Sequence, residues 1–123
     1  CTCEATGGVT CNGLPASFPV NINKIDLSGN ALSSLREGAF GNLFSLWSLD
    51  LRNNKLTSLP KGAFANLSNL KHLGLSINSL TSLPEGAFAD LASLSNLELN
   101  NNFLTALPPG IFGNINQLKR LWL

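Results

Sequence analysis

Charge is what this sequence has least of. Only 12% of its residues are Asp, Glu, Lys or Arg, and eight cations against seven acids leave a net charge of +1. So balanced a chain has no bulk field with which to hold nucleic acid or an anionic membrane. The apolar fraction of 44% equally excludes a disordered chain. Histidine occurs once, at His72. No second histidine or spare thiolate stands where a metal site or an activated nucleophile would need one, and no glycine-rich phosphate loop is present. Neither catalysis nor a metal or cofactor is expected. No apolar run approaches the ~20 residues that span a bilayer. No signal peptide is visible, and an opening on Cys1 has the look of a mature or trimmed product. A length of 123 residues leaves room for one domain.

What the chain has in abundance is repetition. Asn30, Asn54, Asn78 and Asn102 lie 24 residues apart, and so do Phe40, Phe64, Phe88 and Phe112. Leu35, Leu59, Leu83 and Leu107 keep the same interval, as do Gly38, Gly62, Gly86 and Gly110. One full unit reads LWSLDLRNNKLTSLPKGAFANLSN, residues 46–69. A fixed period in this range signals a solenoid. The organisation expected is a single domain over 1–123, with a front segment at 1–21, units at 22–45, 46–69, 70–93 and 94–117, and the start of a fifth at 118–123.

Each part of the unit has a physical job. The L-x-x-L-x-L segment alternates around a short strand, so its leucines point inward and its variable positions outward. The asparagine turns the chain off the strand, and its amide can satisfy backbone groups that the bend leaves unpaired, copy upon copy. The Leu-Pro pair, the glycine and the phenylalanine make the return limb, where proline is tolerated because no ladder hydrogen bond is needed. The first unit carries Arg36 where its two successors carry Pro60 and Pro84, which predicts a looser limb there.

The LxxLxLxxNxLxxLPxGxFxxLxx unit resembles an extracellular leucine-rich repeat of the 24-residue class, over residues 1 to 123, and is similar above all to variable lymphocyte receptors. The resemblance implies an α/β solenoid: a horseshoe with a parallel β-sheet on the concave face and an irregular or short-helical convex side. CTCEATGGVTC resembles the cysteine-rich cap that covers the first repeat of such receptors. Clustered cysteines without metal-ligand spacing favour a disulfide in an oxidising compartment. Carried over from the family, the pairing is Cys1 with Cys11, which leaves Cys3 without its partner. The chain stops within a strand at Leu123, so a carboxy-terminal cap or membrane anchor is expected outside it. NLS at 66–68 is a glycosylation sequon on the return limb, where a glycan would leave the inner curve free.

The repeat also writes out the inner face. Lys24, Ser48, His72, Asn96 and Arg120 precede the second leucine of each unit. Asp26, Asp50, Gly74, Glu98 and Trp122 follow it, and Ser28, Arg52, Ser76 and Asn100 come just past the strand, with Trp47 and Lys71 at the near edge. A varied face on a constant back is the layout of a recognition surface. The expected ligand-binding residues are Asp26, Asp50, Glu98, Arg52, His72, Trp47 and Lys24. The three acids form a column suited to ammonium groups or dense hydroxyls. The competing reading is a self-balanced solvated patch in which Lys24 and Arg52 neutralise that column; on either reading folding itself gains nothing from the acids. By resemblance the partner is a microbial surface component or a protein antigen, and the module is a secreted or surface-anchored, immune-type receptor ectodomain acting as a monomer. The alternatives are a matrix or adhesion module, or a non-binding fragment of a larger receptor.

Overall fold

The computed structural model describes residues 2, 3, 8–10, 13, 15, 17–19 and 21–123. Each unit contributes one three-residue strand, placed where the sequence alternates most regularly. These are β3 (Lys24–Asp26), β4 (Ser48–Asp50), β5 (His72–Gly74), β6 (Asn96–Glu98) and β7 (Arg120–Trp122). Two further strands precede them, β1 (Thr2–Cys3) and β2 (Gly8–Thr10). All seven form one sheet in chain order; β1 runs antiparallel to β2, and every later pair is parallel. The register holds the 24-residue period without slippage, with Ile25, Leu49, Leu73, Leu97 and Leu121 opposite one another along the row. A slip of one residue would turn those side chains outward, so the burial of Ile25, Leu49, Leu73 and Leu97 pins the register.

The core is a continuous column behind the sheet. Leu46, Leu49, Leu51, Leu70, Leu73, Leu75, Leu94 and Leu97 are essentially inaccessible to solvent, as are Phe40, Phe64 and Phe88 from the return limbs. The phenylalanines stack: Phe64 and Phe88 lie 6.4 Å apart and nearly parallel, and Phe88 and Phe112 lie 6.3 Å apart. Phe18 closes the front of the stack against Phe40 at 5.7 Å. Each such ring or leucine stabilises the fold by roughly 1.5–3 kcal/mol through burial. Parallel strands sit only ~4.8 Å apart, so the side carrying the sheet is the shorter one and the stack bends around it.

The asparagines form the ladder that the bend requires. Asn78 Nδ2 donates to the carbonyls of Leu51 and Leu75 at 3.0 and 3.1 Å, while its Oδ1 accepts from Leu56 N–H at 3.1 Å. Asn54 and Asn102 repeat the pattern one unit earlier and one unit later. Each amide thus ties its own coil to the one before it, and orphaned backbone groups inside the core find partners.

Of the two forms expected for the convex side, irregular or short-helical, the structure has the first. The convex side holds no helix among the described residues; it is a succession of turns. Each return limb reverses at Gly38, Gly62, Gly86 or Gly110, all at φ 67–71°, a left-handed conformation that breaks a helical run before it can propagate. The limb at Arg36 makes the same turn as its successors, with Ala39 half-buried where Ala63 and Ala87 are buried. Ala39 N–H donates to the Arg36 carbonyl at 3.3 Å, the same bond that Ala63 and Ala87 make to Pro60 and Pro84 at 3.1 Å. This bond needs only a carbonyl at that position, which arginine supplies as well as proline. The expected Cys1–Cys11 bridge lies outside the described residues.

Candidate functional site: the outward face of the sheet

The strand register sets the outward side chains in two rows. Lys24, Ser48, His72, Asn96 and Arg120 stand opposite one another in the first, and Asp26, Asp50, Gly74, Glu98 and Trp122 in the second. Because side chains alternate along a strand, both rows leave the sheet on the side away from the leucine core.

Asp26 and Asp50 have a structural task that sequence reasoning missed. Asp26 Oδ1 accepts from the backbone N–H of Ser28 at 2.9 Å and from the Ser28 hydroxyl at 2.6 Å. Asp50 Oδ1 accepts from the N–H of Arg52 at 3.0 Å. Each aspartate caps the end of its strand by binding the amide two residues on, the local closure that aspartate side chains favour. Folding therefore does gain from these acids. The signal was in the sequence: aspartate occurs in the units where the strand end is capped in this way, whereas β5 has Gly74 and β6 the longer Glu98.

Arg52 decides the electrostatics of the second row. Its Nε and Nη2 grip both oxygens of Asp50 at 2.9 and 2.6 Å, a two-pronged charge-assisted pair. Its Nη1 lies 3.6 Å from Glu98 Oε2, two strands away. The crossing passes over Gly74. A Cβ on that residue would stand 2.9 Å from Arg52 Cγ and 3.1 Å from Cδ, closer than carbon atoms tolerate. The absent side chain of Gly74 is the bed in which Arg52 lies. The bonds to Asp50 and then its charge hold the guanidinium well above arginine's ordinary pKa, with Glu98 and Asp26 adding to the effect, so Arg52 stays a cation throughout the useful pH range. Glu98 Oε2 also accepts a long bond, 3.5 Å, from the Ser76 hydroxyl. One cation thus lies against two of the three acids, while Asp26 takes its hydrogen bonds, among the described residues, from Ser28.

Unlike Arg52, with which the competing reading of a self-balanced patch paired it, Lys24 does not join this balance. Its Nζ sits 5.1 Å from the ring centre of Trp47, a cation–π contact. His72 meets the same indole edge-on at 5.7 Å. Lys24, Trp47 and His72 are therefore one cluster, and Asp50, Arg52 and Glu98 another, with Asp26 beside the second. The cleft over Gly74 between Ser48, His72, Asn96 and Glu98 encloses about 90 Å³. Ligand pockets typically run to ~300–1,000 Å³, so this cleft admits a protruding group and not a whole small molecule.

Two exposed apolar side chains also escaped the sequence reading. Ile77 is 51% exposed and Phe103 is 66% exposed, both on the loops that follow the strands. Ile77 has φ 55°, and the corresponding places in the other units hold Gly29, Asn53 and Asn101, also at positive φ. A β-branched residue there is strained, where glycine or asparagine is not. The clue was available in the column itself, Gly-Asn-Ile-Asn. Among the described residues no group of three or more His, Cys, Asp or Glu could hold a metal ion, and no helix is long and apolar enough to cross a membrane.

Parallel strands in register, an asparagine ladder and a variable outer face define a solenoid scaffold, the type that presents a surface to another macromolecule. A family model described as leucine rich repeat matches residues 16–56 and 45–102, and a second of the same description matches 93–115. The chain belongs to the leucine-rich repeat family, whose repeats are typically non-enzymatic protein-binding modules. Among solved structures, a leucine-rich repeat protein of Leptospira interrogans is similar, with a TM-score of 0.74 and 35% sequence identity over 81% of this chain. The present chain spans 24% of the length of that one. No curated protein matches.

Proposed function

We propose that this chain is an extracellular recognition module of immune-receptor type, which binds a microbial surface component or a protein antigen through the outward face of its sheet. The observation that carries the proposal is the contrast between that face and its support. The return limbs repeat almost residue for residue, while Asp26, Asp50, Gly74 and Glu98 differ along one row and Lys24, Ser48, His72 and Asn96 along the other. The open relief supports a macromolecular partner, because the cleft over Gly74 encloses only about 90 Å³. Asp26, Asp50, Glu98 and Arg52 supply charge-assisted contacts in this reading, and Trp47, Lys24 and His72 line the far side of the same surface. The resemblance of the front segment to a cysteine-rich cap supports secretion, with Cys1 bridged to Cys11.

The test is a pull-down of intact bacteria and of collagen-type matrix with one preparation of the protein. Binding to bacteria, weakened by Asp26→Ala, Asp50→Ala or Glu98→Ala in folded protein, is the expected result. Binding to matrix alone rejects the proposal in favour of an adhesion module. If all three variants bind bacteria like the parent, the acids play no part in recognition.

A further inference from the structure

The charges on the outward face are sorted by side. Lys24, Lys71, Lys119 and Arg120 all lie at the entry edge of the strands, and all four are exposed. They make up half of the eight cations in the chain. Among the described residues no acid shares their edge, and none of the four is in an ion pair. The acids of the sheet stand two residues further along each strand, roughly 7 Å away at ~3.3 Å per residue. The edge cations also recur at a fixed interval. Lys24 opens β3, Lys71 directly precedes β5, Lys119 directly precedes β7 and Arg120 opens it, so they stand at the entry of every second strand. Strands ~4.8 Å apart place them about 10 Å from one another at the backbone.

Between the first two cations the edge is hollowed. Ser45, Trp47, Asn69, Lys71 and His72 line a depression of about 600 Å³ that is broadly open to solvent. Its aromatic wall is held in place by the Lys24 contact at 5.1 Å and the His72 contact at 5.7 Å. An indole beside amide and hydroxyl groups suits a sugar ring, which offers apolar C–H faces and polar rims.

We propose that this edge is a binding site for a linear acidic polysaccharide, with one sugar seated in the hollow beside Trp47 and anionic groups meeting Lys24, Lys71 and the Lys119–Arg120 pair in turn. Charge complementarity selects the polymer, and the interval of the cations matches acidic groups carried on alternate sugars of an extended chain. The acidic row about 7 Å away selects a narrow strand over a wide duplex, which would overlap Asp50 and Glu98. The inference goes beyond the recognition role proposed above and does not depend on it.

Immobilised heparin is the probe, with unmodified dextran and duplex DNA as comparison columns. The parent protein should be retained by heparin at low salt and pass through dextran. By analogy with single-stranded polyanions, its log affinity should fall against log salt with a slope of about −3 for four contacts at ~0.7 each. Lys71→Gln should make that slope shallower by about 0.7, and the pair Lys119→Gln with Arg120→Gln by about 1.4. Lys61→Gln, the same loss of charge on the return limb, should change nothing. Asp26→Ala and Glu98→Ala should bind heparin at least as well as the parent, which separates this site from the acidic row whatever those variants do to bacterial binding. The proposal is overturned if the parent passes through heparin at low salt, if Lys61→Gln weakens binding as much as Lys71→Gln, or if duplex DNA is held more tightly than heparin.

Discussion

Gly74→Ala is a one-carbon change with an effect that can be worked through in advance. The new Cβ would meet Arg52 Cγ at 2.9 Å and Asp50 Oδ1 at 3.2 Å. Backbone strain is not at issue, because Gly74 is not among the glycines at positive φ. Arg52 must therefore swing out of its bed. The 3.6 Å approach to Glu98 is lost and the two-pronged grip on Asp50 is loosened. With an Arg52 side chain 46% exposed, the two contacts together are worth about 0.5–1.5 kcal/mol after solvent screening. Replacing glycine by alanine within a strand returns roughly 0.5–1 kcal/mol. The net change should lie within about 1 kcal/mol of zero, which at ~2.1 cal/mol/K per residue moves the midpoint of a chain this size by no more than about 4 °C. The decisive assay is therefore spectroscopic. Nitrogen-15 NMR of arginine should show the Arg52 Nε–H shifted and slow to exchange in the parent, and at the solvent-exposed position in the variant. An unchanged Arg52 resonance in a folded variant would refute the argument that Gly74 makes room for the crossing.

Other substitutions test other parts of the structure. Ile77→Asn should raise stability by about 1 kcal/mol in urea denaturation, because asparagine tolerates positive φ; a loss of stability would show that the exposed side chain packs more than its 51% exposure indicates. Asp26→Ala and Asp50→Ala should each cost about 0.5–1.5 kcal/mol through the lost amide bond, whereas Glu98→Ala should stay within ~0.5 kcal/mol of the parent. Equal effects from all three, measured by thermal unfolding, would discount the strand-capping role. Asn78→Ala removes the partner of Leu56 N–H and of two carbonyls inside the core, and should cost about 3 kcal/mol or more. A cost below 1 kcal/mol would mean that water can replace the ladder.

How far the sequence reveals this molecule depends on what carries the information. The rows of the sheet follow from counting, since a 24-residue period with leucines at fixed places leaves one register that keeps them all inside. The asparagine ladder follows in the same way. Where long side chains choose among partners, counting gives less. Lys24 lies two residues from Asp26 on one face, which suggested an ion pair, but the neighbouring strand offered the face of Trp47 at 5.1 Å. Gly74 was legible as a gap in the acidic row. That the gap lets Arg52 reach across to Glu98 depends on a side-chain path set by the folded chain. The strand-capping aspartates could have been foreseen from the preference of that residue for the amide two positions on. For the outer side the sequence left irregular turns and short helices both open, and local chemistry, four glycines at positive φ, selects the turns.

The unequal spacing of the two sides of the coil sets the size of object that this surface fits. The outer repeat is 6.3–6.4 Å between phenylalanine rings, against about 4.8 Å between strands, and the two sides are separated by about 10 Å. A difference of about 1.5 Å across that thickness is a bend of roughly 9° per unit, and an inner radius on the order of 30 Å. Four steps from β3 to β7 then sweep only about 35°. A trough so open cannot grip a thin rod from both sides. It lies flush against a gently rounded body of comparable radius, the curvature of a globular domain, and every unit added to such an arc would lengthen the footprint without closing the grasp.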